Sequence, residues 1–189
     1  MRTLEKKLLI KTLLYFILLI IIFPSGISLA LSAEEIQVVV NEKYFEIAKR
    51  LIKGARSSIY VMMFEMGYYD KYPNTPSNLL IHELIEAKKR GVNVEVILEV
   101  REGRDRTTER NRHTGKILSR GGVKVFFDNP LKTTHAKWMT VDEEFSLVGS
   151  TNWTFYALTN NNEVSILIQS KALAKALINY FNKVKEENK

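Results

Sequence analysis

The residues best suited to chemistry are His135, Lys137, Asp142, Gly149, Ser150 and Asn152, which read as H-x-K-x4-D-x6-G-S-x-N. A neutral imidazole can attack phosphorus, and a fixed ammonium can hold a phosphate oxygen. Residues two apart on a strand face the same way, so His135 and Lys137 are expected to project into one site. Ser150 and Asn152, at the end of an adjacent strand, would add neutral hydrogen bonds to the phosphate oxygens. Taken singly, each residue has a plainer use. His135 can sit on a strand, Asp142 and Gly149 can serve turns, and Asn152 can cap a helix. A match at all six positions by chance is on the order of 10⁻⁶ for residue types near one in twenty.

These elements must be positioned by an α/β frame. Alternation at Ile36, Val38 and Val40 predicts a strand, and Asn41 could cap a helix running to about Lys53. Strands are expected over 58–66, 92–100, 123–127, 135–141, 145–148 and 164–169. Helices are expected over 77–90, about 108–119, 152–158 and 172–184. The tight turn Asp142-Glu143-Glu144 joins the two strands of the motif. Strands alternating with helices of this length predict an α/β/α sandwich around a mixed central sheet.

The pattern resembles the signature of the phospholipase D superfamily. The stretch from Tyr60 to Glu65, the helix ending Lys88-Lys89-Arg90-Gly91-Val92, and the run Gly149-Ser150-Thr151-Asn152-Trp153 to Asn162-Glu163 extend the resemblance to residues 36–185. They look like the small single-motif members, the exported bacterial endonucleases and the Zucchini-type nucleases, also described as cardiolipin hydrolases. Zucchini-type enzymes carry a cysteine-containing zinc element, and this chain has no cysteine, which moves the match toward the bacterial and archaeal type. The resemblance assigns His135 as nucleophile through a phosphohistidine, and Lys137 and Asn152 to the phosphate. It gives Ser150 a supporting role and Asp142 a mainly structural one, and makes Glu163 the acidic residue that orients the histidine.

The reaction needs one group that attacks and one that protonates the leaving oxygen. His82 and His113 do not begin a second H-x-K. The chemistry and the resemblance therefore imply a homodimer that pairs two copies of His135 at a twofold axis. They imply no cofactor and no metal. Nucleic acid is the first expectation for substrate. A phospholipid such as cardiolipin is the alternative enzyme reading, and a silent nucleic-acid- or membrane-binding module the alternative outside enzymology. The intact His135, Lys137 and Asn152 argue against silence.

Composition sets the frame. The 189 residues carry a formal charge of +7 and no cysteine, which excludes disulfide scaffolds, thiolate zinc sites and cysteine nucleophiles. Residues 1–33 hold four basic residues and one acidic, leaving 24 basic and 20 acidic for a catalytic domain over 34–189. Arg2, Lys6, Lys7 and Lys11 precede the apolar run 13–23, then come Pro24 and Ser28-Leu29-Ala30, the order of a cleaved secretory signal. Eleven apolar residues are short for a core of roughly 30 Å, but continued through Pro24 to Leu31 the run reaches 19. Export by a cleaved signal and retention by a membrane anchor both stay open. Between Arg101 and Arg120 lie seven basic and three acidic residues. They form either a solvated helix face or a phosphate-tracking rim carrying Arg104, Arg106, Arg110 and Arg112. Tyr68, Tyr69 and Tyr72 pack a long loop or stack bases. Trp138, Met139, Trp153 and Phe155 are expected in the core.

Overall fold

A computed structural model describes residues 33, 35–103 and 105–187. The expectations for the N-terminal signal or anchor and for Arg104 lie outside them. Among the described residues no helix is long and apolar enough to cross a membrane.

The strand–helix alternation becomes β1 (Glu35–Val40), α1 (Lys43–Gly54), β2 (Ser58–Met63), α2 (Pro76–Lys89), β3 (Asn93–Leu98), α3 (Arg106–Arg120), β4 (Lys124–Phe127), β5 (Lys137–Val141), β6 (Phe145–Gly149), α4 (Phe155–Thr159), β7 (Val164–Gln169) and α5 (Lys171–Glu186). One seven-stranded sheet runs β1-β7-β6-β5-β2-β3-β4. β2, β3 and β4 pair in parallel, and every other pairing is antiparallel. The architecture is α/β with a mixed central sheet between helical layers.

Strand alternation divides the core. Ile59, Val61 and Met63 of β2 face Tyr44, Ala48 and Ile52 of α1 and Leu80, Ile81 and Leu84 of α2. Met62 and Trp138 turn the other way, onto Phe181 and Val184 of α5. Side-chain caps fix three helix starts: Asp105 on Thr107 and Thr108, Thr154 on Ala157, and Ser170 on Leu173.

Several expectations are corrected. The alternation in β1 is real but its buried residue is Val39, while Ile36 and Val38 are each 65% exposed. Periodicity alone does not say which face is covered. Asn41 is not a helix cap. It takes a left-handed backbone (φ 50°) and its Oδ1 accepts from the Glu163 amide at 2.9 Å. The ladder of β5 begins at Lys137 rather than His135. The helix after the motif begins at Phe155, with Thr154 as its cap, which leaves Asn152 outside it. Trp138, Met139 and Trp153 are core, but Phe155 is 38% exposed.

Candidate active site

Past the carboxyl end of β2 the chain passes Phe64 and Glu65. Antiparallel to it, β5 begins at Lys137, paired with Met63. Here β2 has an antiparallel neighbour in β5 and a parallel one in β3. The Phe64 amide donates to the Ala136 carbonyl at 2.9 Å, which holds residues 135–136 extended although they precede the strand. Both motif side chains then gather on the Phe64 ring. The His135 imidazole lies 4.5 Å from it, centroid to centroid, and the Lys137 ammonium sits 4.8 Å above it. The Arg101 guanidinium is 5.5 Å from the same ring. An aromatic face flanked by cations gains electrostatic attraction and excludes water from one side of the site.

Lys137 is buried, and its Nζ donates to the His135 carbonyl at 2.9 Å. Burial pushes its ammonium below the ordinary lysine value, and the nearby Glu163 and Glu65 carboxylates pull it partly back. His135 is exposed as a residue. Its imidazole is nonetheless held below the ordinary value, first by desolvation, then by the charges of Lys137 and Arg101. The neutral, nucleophilic form therefore persists to lower pH than in a free histidine.

Ser150 Oγ donates to the Glu163 carboxylate and accepts from the Val164 amide at 3.1 Å. Gly149 must be glycine: a Cβ there would lie 2.4 Å from the Ser165 Cα and 2.4 Å from the Val164 carbonyl. The close β6–β7 contact is what delivers Ser150 to the strand end. The Asn152 amide makes no hydrogen bond, and its oxygen is buried without a partner. Its backbone neighbours are tied down: the Trp153 amide donates to the Glu65 carbonyl and the Gly67 amide to the Trp153 carbonyl. The Asn152 Nδ2 donors, which make no hydrogen bond among the described residues, suit a phosphate oxygen.

The other expected site residues divide. Glu163 is buried and bonds Ser150 and, at 3.0 Å, the Asn161 amide nitrogen; within one chain it makes no bond to His135. Asp142 lies at the opposite end of β5, seven residues from His135, or about 23 Å along an extended chain. It cannot touch a substrate at His135. Its carboxylate instead accepts from the amides of Arg56, Ser57 and Ser58 and from the Ser57 hydroxyl. Burial would raise it, but those hydrogen bonds outweigh burial and hold it below the ordinary range. Arg106 and Arg110 line a groove beside the site, whereas Arg112 borders a separate hollow with Lys116, Arg120 and Phe127.

Four residues without a sequence signal complete the site. Phe64 reads only as an apolar strand position. Asn111, fully buried on α3, accepts from the Met66 amide and donates to the Phe64 and Glu99 carbonyls, all at 2.8 Å. It clamps the ends of β2 and β3. Glu99 and Asp128, both buried, converge on the Thr134 amide, which donates to both carboxyls next to His135. Asp128 also accepts from the Val100 amide at 2.7 Å, and Arg101 donates to Glu99 at 3.0 Å. Burial, then the Asp128 carboxyl beside it, pushes Glu99 up to about 7, offset in part by the Thr134 amide and Arg101.

The sign of that shift yields a test. The folded chain keeps a proton on Glu99 that the unfolded chain releases above its ordinary 4.5. The stabilisation is whole below that value and is lost as pH rises toward about 7. Glu99→Gln mimics the protonated acid and should remove this slope. Thermal unfolding of both proteins across that window checks it. Equal slopes would place the proton elsewhere.

The family model described as "Cardiolipin synthase, PLD-like domain" matches residues 48–185. Mitochondrial cardiolipin hydrolase of Mus musculus is 27% identical over 138 residues, 73% of this chain and 56% of that protein. Cardiolipin synthase A of Escherichia coli O157:H7 is 30% identical over 132 residues, 69% of this chain and 26% of that one. The chain thus spans about half or less of these relatives. The crystal structure of Nuc, a phospholipase D family member from Salmonella typhimurium, superposes with a TM-score of 0.69 at 22% identity, covering 82% of this chain and 96% of Nuc. With a histidine and a buried lysine on one ring past the end of β2, in a sequence that the family model matches over residues 48–185, the chain belongs to the phospholipase D-like domain family.

Proposed function

We propose that two copies of this chain build one site that hydrolyses nucleic-acid phosphodiesters through a phosphohistidine. The observation that carries the reading is a neutral-biased His135 beside a buried Lys137 and the uncommitted Asn152 amide, in a chain with one such motif. In the first step a ring nitrogen of one His135 forms a bond to phosphorus. The bond from phosphorus to the leaving oxygen breaks, and that oxygen takes a proton from the other copy's imidazolium. That imidazole, now neutral, next accepts a proton from water. The resulting oxygen attacks phosphorus, the phosphorus–nitrogen bond breaks, and the monoester leaves. Two identical histidines sharing one proton titrate as a pair, so either copy can take either role. Lys137 and Asn152 hold the equatorial oxygens as their charge grows.

An uncovered apolar face supports the pairing. Ile36, Val38 and Val40 of β1 lie opposite Ile168, Ile166 and Val164 of β7 on one side of the sheet. Ile36, Val38 and Val164 are more than half exposed. The face ends at Val164, next to Glu163 of the site. A second copy would bury it and bring the missing histidine.

The catalytic domain, with 24 basic and 20 acidic residues over 34–189, mildly favours a polyanionic backbone as substrate. Phospholipid is the second reading, favoured by the names of the two relatives. Export, or attachment through residues 1–33, belongs to the same proposal, and sequencing the N-terminus of the recovered protein tests it. The protein is incubated with single-stranded DNA, duplex DNA, RNA and cardiolipin in parallel, with and without excess EDTA. Nucleic-acid cleavage that survives chelation is expected, because a histidine–lysine site supplies nucleophile and charge itself. Cleavage lost to EDTA and restored by magnesium would overturn the mechanism. Turnover of cardiolipin alone would give the second reading.

A further inference from the structure

Beside the catalytic residues runs a groove of roughly 720 Å³, inside the range of about 300–1,000 Å³ typical of ligand sites. Its walls are aromatic and basic: Tyr69, Tyr72, Phe155 and Tyr156 with Arg106 and Arg110. Tyr72 and Tyr156 are each 65% exposed and Phe155 is 38% exposed. Phe155 and Tyr156 meet edge to face at 5.5 Å. Large rings left in water beside a site point to something that covers them. Their wall is fixed, because the Phe155 amide donates to the Tyr69 hydroxyl at 3.2 Å and the Thr154 cap sets the turn.

The two arginines differ. Arg110 pairs with Glu65 and lies 5.5 Å over the Tyr69 ring, so its charge is spent inside the wall. Arg106 is exposed and has no carboxylate partner among the described residues. Two of its lining residues are close neighbours of the site along the chain. Glu65 is one residue from Phe64 and its charge reaches Lys137, and Thr154 is two residues from Asn152.

Resting on the nuclease reading, we infer that this groove is a stacking subsite for an unpaired nucleobase next to the scissile phosphate, which makes single-stranded nucleic acid the substrate class. A base offers π faces to Tyr72 and Tyr156 and polar edges to the tyrosine and Thr107 hydroxyls of the lining. The neighbouring phosphate meets Arg106. In a duplex the bases already stack on one another and cannot reach the rings. A lipid acyl chain would fill the space but waste the hydroxyls and the free guanidinium.

The test measures binding without turnover, using His135→Asn protein and labelled oligonucleotides as single strands and as duplex at one salt concentration. Single strands are expected to bind at least about 10-fold tighter than duplex. Tyr72→Ala with Tyr156→Ala should weaken single-strand binding by about 10- to 100-fold, and an abasic position in the strand should remove that sensitivity. Tyr72→Phe with Tyr156→Phe keeps the rings and should keep the affinity, which separates stacking from misfolding. Equal affinity for duplex and single strand, with the alanine pair unaltered, overturns the groove while leaving the nuclease reading in place. Cardiolipin vesicles that lose binding in the alanine pair, while single strands do not, make the groove an acyl-chain site. No cleavage of any nucleic acid by the wild-type protein sinks the nuclease reading itself.

Discussion

Replacing His135 by Asn should lower turnover by at least about 10⁴-fold, the scale seen when a nucleophile is removed. The fold should survive, because His135 is exposed, its side chain makes no hydrogen bond among the described residues, and its aromatic contact is with the Phe64 ring. Mixed dimers make the prediction specific. A pair with one normal chain and one His135→Asn chain holds an attacking group or a proton donor at the shared site, but not both. When mutant chain is mixed in and exchanged, activity should fall as the square of the wild-type fraction. A linear fall would mean each chain works alone. The apolar face gives an independent handle. Val38 lies on the exposed side of β1, remote in sequence from the motif, and Val38→Lys puts an ammonium where a second copy would bury it. Light scattering should then report a monomer, and activity should fall with the dimer fraction. Full activity from a monomer would end the dimer model.

What the sequence made legible were local rules. The motif spacing placed Lys137, Ser150 and Asn152 at strand ends, because β6 delivers Gly149-Ser150 beside β5 wherever the turn at Asp142 falls. The sheet was readable as mixed for the same reason, since a tight turn makes one pair antiparallel while the helical connections make others parallel. Long-range contacts were not legible. Phe64 became the common platform of His135, Lys137 and Arg101 only through the β2–β5 pairing, which no local pattern states. Glu99 and Asp128 meet at Thr134 from two strands, and each alone reads as a surface acid. Asp142 shows that spacing in a motif does not mean nearness in space. A strand carried it to the far end, where it ties the β5–β6 turn to the start of β2. The exposed side of β1 was not legible, because alternation fixes a period and not a covered face.

Lys137→Met should cost about 10²–10³ in kcat/KM, the usual loss when one charged donor to a reacting oxyanion is removed. Methionine keeps an unbranched apolar stem against Phe64, so the change isolates the charge. The pH profile should move as well. The Lys137 charge is one of the causes that hold the His135 imidazole below its ordinary 6.5. Without it the imidazole should bind its proton more readily, and the acid limb of the profile should shift up toward that value. Lys137→Arg should not rescue activity, because a planar guanidinium needs room for several donors where the ammonium has one, on the His135 carbonyl. Stability should move the other way. Burial lowers the lysine below its ordinary 10.5, so the folded chain binds this proton less readily than the unfolded one. At neutral pH the charged lysine therefore costs stability, a cost that fades as pH rises through its folded value toward 10.5. Lys137→Met should leave the melting temperature unchanged or raise it while removing activity. Lost activity with a raised acid limb and an undiminished melting temperature is the signature of a phosphate-binding charge. A lower melting temperature with an unmoved acid limb would make Lys137 a structural residue of β5 instead.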